Sequence, residues 1–250
     1  MGGKILKQTD LQKVKSVAVT LLMTDIHETE YSPMVVQHPF TSSGTVGVRK
    51  DGGFQVIDIT ENEENLRLWR EQIKEQIKEA DNAFDIYMLL NKPYALTFLK
   101  FAEPYLSRED MSKILSCAWV MSENPNADAN MNKRQLLSLF RSADPSVLMD
   151  EDERRELDSL PSTVTVYRGV TPYNEKNVKA LSWTLNYETA IWFATRFGEC
   201  GSVYKAQVNK ENILAFFKGR NEAEVIIDPR HLMDLEQMDS PRMDMEMTLT

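Results

Sequence analysis

The chain has 250 residues, 42% of them hydrophobic and 27% charged, with a formal net charge of -9. That length allows one large domain or two small ones, with enough apolar side chains for a substantial core. The acidic balance excludes a surface that is basic throughout and built for nucleic-acid phosphates, while leaving room for a local basic patch.

The first twenty residues, MGGKILKQTDLQKVKSVAVT, lack the unbroken apolar stretch and small-residue cleavage site of a secretory signal. Gly2 invites a myristoylation check, but Leu6 stands where Ser or Thr is needed. No run has the apolar length that crosses a bilayer. Cys117 and Cys200 lie far apart and read as free thiols in a reducing compartment, so the expected location is cytoplasmic. Residues 15–23, KSVAVTLLM, suit a strand or a short buried segment. TVGVRK and FQVIDI flank Asp51-Gly52-Gly53, the pattern of a hairpin. Residues 1–60 are thus expected to be a small β-rich segment.

Thr60 with Glu63 three residues on reads as a capping box. The helix beyond it places Leu66, Trp69, Ile73 and Ile77 on one apolar face. Pro93 breaks or restarts a helix within the apolar stretch 84–103. Ser107 with Asp110 marks a further start, for a helix burying Ile114, Leu115, Ala118 and Trp119. Lys133 to Arg141 reads as a short helix with Leu136, Leu137 and Phe140 inward. Asp144-Pro145 opens another turn. The acidic run MDEDERREL reads as a solvated helix face or linker. Residues 61–160 are therefore expected to be a helical region packed on the C-terminal β core.

From Thr163 the pattern turns to strands: TVTVYRGV, then Ala180 to Trp183, then GSVYKAQV, ILAFF and EAEVIID. Asn186 or Thr184 would cap a helix over YETAIWFATRF. The Met-rich acidic residues 235–250 are expected to be a flexible tail.

Three of these strands carry polar side chains that could converge. Arg168 offers a rigid fork for a phosphate or carboxylate. Ser182 and Thr184, two apart on a strand, share a face, and so do Glu222 and Glu224 if EAEV is extended. Two nearby carboxylates can raise one another's pKa, or divide binding and catalysis between them. Such a set suits an anionic substrate that also carries sugar hydroxyls. Each residue alone is more often a cap or an ion-pair member. The three histidines, His27, His38 and His231, lack metal-ligand spacing, and Cys200 has no histidine near it in sequence.

Tyr167-Arg168-Gly169, Ser182-Trp183-Thr184 before a helix, and Glu222-Ala223-Glu224 entering a strand resemble, in that order, the ADP-ribosyltransferase superfamily. The branch resembled is the one with an arginine, a Ser-x-Ser/Thr strand and a Glu-x-Glu, as in arginine-specific mono-ADP-ribosyltransferase toxins and phage enzymes. The resemblance covers Thr163 to Pro229. It implies an α+β fold with a split two-sheet core at 161–234, preceded by a helical region. No GxGxxG occurs, so a Rossmann domain has no support.

The resemblance also implies NAD as co-substrate. Arg168 would pair with its phosphate. Ser182 would position the catalytic glutamate, and Thr184 would steady the same strand. Glu224 would hold the 2′-hydroxyl of the nicotinamide ribose and favour the charge that builds as nicotinamide leaves. Glu222 would orient or deprotonate the acceptor. Gly169, Tyr167 and Trp183 complete the expected cofactor-binding set, the two aromatics by stacking or by packing the cleft wall. Phe216 and Phe217 precede an acceptor-facing turn in which Arg220 would recognise an anionic acceptor, and Arg196 on the helix would reach a phosphate. The expected acceptor is an intracellular protein, with arginine as the candidate residue, a nucleic acid as the alternative and no membrane role. Members of the family act as bacterial effectors, toxins or bacteriophage enzymes on host targets. A NAD glycohydrolase of the same fold and a catalytically silent binding protein are the competing expectations.

Overall fold

The computed structural model describes residues 8–50, 52–198 and 201–238. The architecture is mixed α and β, and the chain divides into two compact units. One is formed by Met1–Asn132 with Ser142–Val147, the other by Lys133–Arg141 with Leu148–Thr250. No helix among the described residues is long and apolar enough to cross a membrane.

The first unit opens with a helix, α1 (Leu11–Leu22), where a strand or buried segment was expected over 15–23. Its β-branched residues obscure a helical spacing that emerges once Val14 is included. Val14, Ala18, Leu21 and Leu22 are buried, and Asp10 caps the N-terminus by accepting from the Lys13 amide. Three short strands come next, β1 (His27–Thr29), β2 (Ser32–His38) and β3 (Thr41–Ser43), paired in that order. His38 is fully buried and ties β2 to α1. Its Nδ1 accepts from the Phe40 amide at 3.1 Å, and its Nε2 donates to the Leu22 carbonyl at 3.3 Å. This is a neutral structural histidine, and burial holds its pKa down to about 4.

The expected hairpin is present as β4 (Thr45–Lys50) and β5 (Gly53–Asp58), with Lys50 opposite Gly53. Asp51, the first residue of its turn, lies outside the described residues, and Gly52 takes a φ of 78°. The Phe54 ring lies over Gly47, where any Cβ would come within 2.1 Å of it.

Helix α2 (Glu63–Glu79) is capped by Asn62 rather than Thr60. The Asn62 side chain takes the Asn65 amide, while the Thr60 hydroxyl turns back to Asp58 at 2.6 Å. Asn at this position competes well for the cap, because its carbonyl reaches the third amide of the helix. Trp69 and Ile77 are buried, and Leu66 and Ile73 are half-buried. Helix α3 (Ala83–Met88) precedes a short turn at Lys92–Tyr94 that carries Pro93, and α4 (Ala95–Ala102) restarts beyond it. Helix α5 (Arg108–Met121) has the Ser107 cap and buries Ile114, Leu115, Ala118 and Trp119.

The second unit takes in helix α6 (Lys133–Ser142), which buries Leu136, Leu137 and Phe140 as expected, and Leu139 as well. A single turn, α7 (Pro145–Leu148), whose first three residues belong to the first unit, leads to α8 (Glu151–Ser159). The next six strands are β6 (Thr163–Val170), β7 (Ser182–Thr184), β8 (Ser202–Asn209), β9 (Ile213–Phe217), β10 (Glu224–Ile227) and β11 (Met233–Gln237). They form one antiparallel sheet in the order β11-β8-β6-β7-β10-β9.

The expected separation into two sheets is replaced by a pinch. β6 and β8 pair from Thr163 opposite Asn209 to Val170 opposite Ser202, whereas β6 meets β7 at Tyr167 opposite Thr184. All three residues of β7 pair with β10, while Thr184 alone also pairs with β6. Leu235 to Gln237, expected to begin the tail, close the sheet edge as part of β11. Residues 239–250 lie outside the described residues.

Helix α9 (Tyr187–Thr195) crosses β6 at Gly169. A Cβ there would sit 2.0 Å from the Ala190 carbonyl oxygen, so glycine permits the close approach. Gly201 does the same beside Ala194.

Candidate active site

The ladder between β7 and β10 places the expected residues. Glu224 lies opposite Thr184, and Ser182 lies opposite Ile226. Directly opposed residues share a face, as do residues two apart, so Ser182, Thr184 and Glu224 stand on one side of these strands. Trp183, opposite Val225, faces the other way. It is 2% exposed, and its indole Nε1 donates to the Ala180 carbonyl at 3.2 Å. Trp183 is therefore a core residue in this structure, not a ring presented for stacking.

Arg168 comes after Tyr167 on β6, at the pinch. Its Nη1 donates to the Ser182 carbonyl at 2.6 Å, bridging the place where β6 and β7 cease to pair. Its Nε is buried without a hydrogen-bond partner among the described residues. Burial pushes the guanidinium pKa down to about 10, the Glu224 charge works against that shift, and the Arg196 charge adds to it. Arg168 stays cationic at neutral pH and shares an electrostatic neighbourhood with Glu224. Glu224 is itself 8% exposed, a carboxylate drawn out of bulk water.

Glu222 departs from expectation. The strand begins at Glu224, and Glu222 ends a short turn at Gly219–Asn221 with φ -90° and ψ -12°. Ala223 comes next with φ 44°, and Asn221 precedes with φ 59°. Two left-handed residues around Glu222 break the extended backbone that a shared face would need. Glu222 is thus held on a loop ahead of Glu224, not two places before it on a strand.

That loop is fastened at several points. The Thr184 hydroxyl donates to the Glu222 carbonyl at 2.6 Å, and the Leu185 amide donates to the Ala223 carbonyl at 3.0 Å. At the other end, Glu153 of α8 takes the Lys218 amide at 2.9 Å, and Glu156 pairs with Lys218 Nζ at 2.7 Å. The same Glu153 accepts the Asp150 amide and completes a capping box. The acidic run thus anchors the glutamate loop, where sequence suggested a solvated face or linker.

The other expected residues have mainly structural partners. Tyr167 packs on Tyr187, ring centroids 5.3 Å apart, over the Ala190–Ala194–Val203 cluster. Gly169 serves the approach of α9. Phe216 and Phe217 are both buried. Asn186 caps α9, accepting from the Glu188 and Thr189 amides, and Thr184 Oγ1 accepts the Asn186 amide. Arg196 ends α9 with its guanidinium 5.0 Å from the Phe193 ring centre. Cys200, Gly2 and Leu6 lie outside the described residues, as do the side chains of Phe197 and Arg220.

Sequence reasoning missed Lys133. It starts α6, its Nζ donates to the Lys179 carbonyl just ahead of β7, and its pKa is lowered by burial and by the Arg168 charge. A lysine at the head of a short helix carries no sequence signal that would have singled it out. It missed Asp228 as well, which is buried at the end of β10 and held by Arg141 and Arg230. Comparison of the chain with protein-family models, with curated proteins and with solved structures finds no match in any of the three.

Proposed function

We propose that the protein is a mono-ADP-ribosyltransferase that moves ADP-ribose from NAD to an intracellular macromolecule and releases nicotinamide. The observation that carries this reading is the β7–β10 ladder, which sets Ser182, Thr184 and Glu224 on one face with the Arg168 guanidinium fastened to the Ser182 carbonyl. The fit to NAD rests on the buried Arg168 guanidinium in the electrostatic neighbourhood of the Glu224 carboxylate, with Arg168 Nε left without a partner among the described residues.

In this reading Arg168 holds a phosphate of NAD. The Glu224 carboxylate accepts a hydrogen bond from the 2′-hydroxyl of the nicotinamide ribose. The bond from C1′ to the nicotinamide nitrogen breaks, and its electron pair leaves with nicotinamide. Positive charge builds on the sugar, and Glu224 stabilises it, as carboxylates do in glycoside chemistry. A lone pair of the acceptor then bonds to C1′, and Glu222 takes the acceptor's proton. The hydrogen bonds from Thr184 and Leu185 fix the backbone of the loop that carries Glu222. A protein arginine is the proposed acceptor, with a nucleic acid as the alternative.

The test uses NAD labelled on the adenylate side, with and without cell lysate, for wild type and Glu224→Gln. Label passing to a lysate component only with wild type supports the transferase. Protease or nuclease sensitivity of that label then identifies the acceptor class. Nicotinamide release that is equal with and without lysate would make the protein a NAD glycohydrolase instead. No NAD consumption by folded wild type overturns both, leaving a binding protein.

A further inference from the structure

Two cationic side chains from distant parts of the second unit close on one short segment. Lys133 Nζ, at the head of α6, donates to the Lys179 carbonyl. Arg168 Nη1, from β6, donates to the Ser182 carbonyl, three residues further on. Between them the Ala180 carbonyl is taken by the Trp183 indole. Three side-chain donors thus fix the backbone that enters β7, and they set an ammonium and a guanidinium on carbonyls three residues apart. The electrostatics agree: burial lowers the Lys133 pKa, and the Arg168 charge lowers it further.

Like charges brought together in a partly desolvated place are costly unless an anion joins them. The protein supplies only part of that compensation. Glu224 offsets Arg168, while Arg196 adds a further positive charge nearby. Asp228 acts on Lys133, but its carboxylate is already bracketed by Arg141 and Arg230. Donors also remain. An ammonium has three N–H groups and a guanidinium five, and the Lys179 and Ser182 carbonyls take one from each. Arg168 Nε is among those left over, buried and unpartnered. Buried Nε atoms of this kind also occur at Arg70 and Arg154, so the atom alone marks nothing. At Arg168 it coincides with a second cation, a fixed backbone and the Glu224 carboxylate.

We propose that Lys133 and Arg168 form one anion-binding pair that grips the two phosphates of a dinucleotide pyrophosphate, with Lys133 as the binding residue contributed from outside the sheet. The proposal rests on the NAD reading for the identity of the dinucleotide. The pairing itself depends only on the geometry of α6, β6 and the segment before β7. Lys133 and Arg168 supply one positive charge each, one for each phosphate of the dinucleotide. Lys133 acts here as a point charge, and Arg168 as the directional fork.

Calorimetric titration with inorganic pyrophosphate and with NAD tests this, on wild type, Lys133→Gln and Lys133→Arg, each checked for an unchanged thermal midpoint. The expected result is pyrophosphate binding by wild type, weakened about tenfold in Lys133→Gln and restored to within about threefold in Lys133→Arg. For NAD turnover, Lys133→Gln should raise KM about tenfold with kcat within about twofold, because a phosphate contact binds ground and transition states alike. A purely structural Lys133 would move the thermal midpoint and leave pyrophosphate affinity unchanged. Equal pyrophosphate affinity in wild type and Lys133→Gln, or none in wild type, overturns the pair. NAD turnover with that equal affinity leaves the transferase reading standing alone. Lys133-dependent pyrophosphate binding without NAD turnover upholds the pair and removes the transferase.

Discussion

The Thr184 hydroxyl donates a 2.6 Å hydrogen bond to the backbone carbonyl of Glu222 and accepts a 3.0 Å bond from the Asn186 amide. One buried hydroxyl therefore couples the loop ahead of Glu224 to the cap of α9. Thr184→Val keeps the shape but leaves both backbone groups without their partner, at about 1–3 kcal/mol. Thr184→Ser keeps both bonds. Denaturant titration should place Ser near wild type and Val clearly below it. If Val matches wild type, the hydroxyl is not what holds the loop.

Ala223 takes a φ of 44° directly before Glu224. A left-handed alanine costs about 1–2 kcal/mol, and glycine avoids that cost while losing about 0.4–1 kcal/mol through its freer unfolded chain. Ala223→Gly should be stabilising by about 0.5 kcal/mol, and Ala223→Val destabilising, because a β-branched side chain suits this backbone worse. Paired unfolding curves check the order, and a Val variant as stable as wild type would contradict it.

Gly169 lies beneath α9 with no room for a side chain. Gly169→Ala would place a Cβ 2.0 Å from the Ala190 carbonyl oxygen, and backbone cannot swing aside as a flexible side chain can. The expected loss is about 3 kcal/mol, from displacement of α9. Thermal unfolding of the variant measures it, and an unchanged midpoint would mean that α9 does not approach β6 this closely.

The legible part of this fold was what local chemistry decides. The β4–β5 hairpin, the Ser107 cap, the restart at Pro93 and the inward face of α6 arise from turn residues, caps and spacing. What failed was decided by competition or by distant partners. Asn62 outcompeted Thr60 for one cap, and α1 hid its period behind β-branched residues. The pairing of Ser182 and Thr184 on one face was readable from a spacing of two. The loop carrying Glu222 was not, because its left-handed turns fall at Asn221 and Ala223 rather than at glycines. Nor could sequence assign Lys133 or Glu153 to this region, since each is carried there by a helix far from β10 in the chain.

His38 gives the first unit a pH response. Its folded pKa of about 4 lies below the ordinary 6.5, so the unfolded chain takes up a proton first. Stability from this group is complete above pH 6.5, falls as the pH drops towards 4, and levels off below that. The full effect is about 3 kcal/mol. Asp228 works at lower pH, because Arg230 and Arg141 hold its pKa far below the usual carboxylate range. Between pH 6.5 and 5, above the ordinary carboxylates, wild type should lose stability while His38→Gln stays flat. Equal slopes in that window would show that His38 is protonated as readily in the folded protein as in the unfolded one.

Whether Glu224 drives the departure of nicotinamide is decided by nicotinamide release from NAD, measured for purified wild type beside Glu224→Gln with matched circular dichroism and thermal midpoints. Wild type should release nicotinamide, and the variant should lose about 10²–10³-fold of that rate, the scale for removing a group that stabilises developing charge. Equal release by both proteins, or none by folded wild type, would contradict the catalytic role of Glu224.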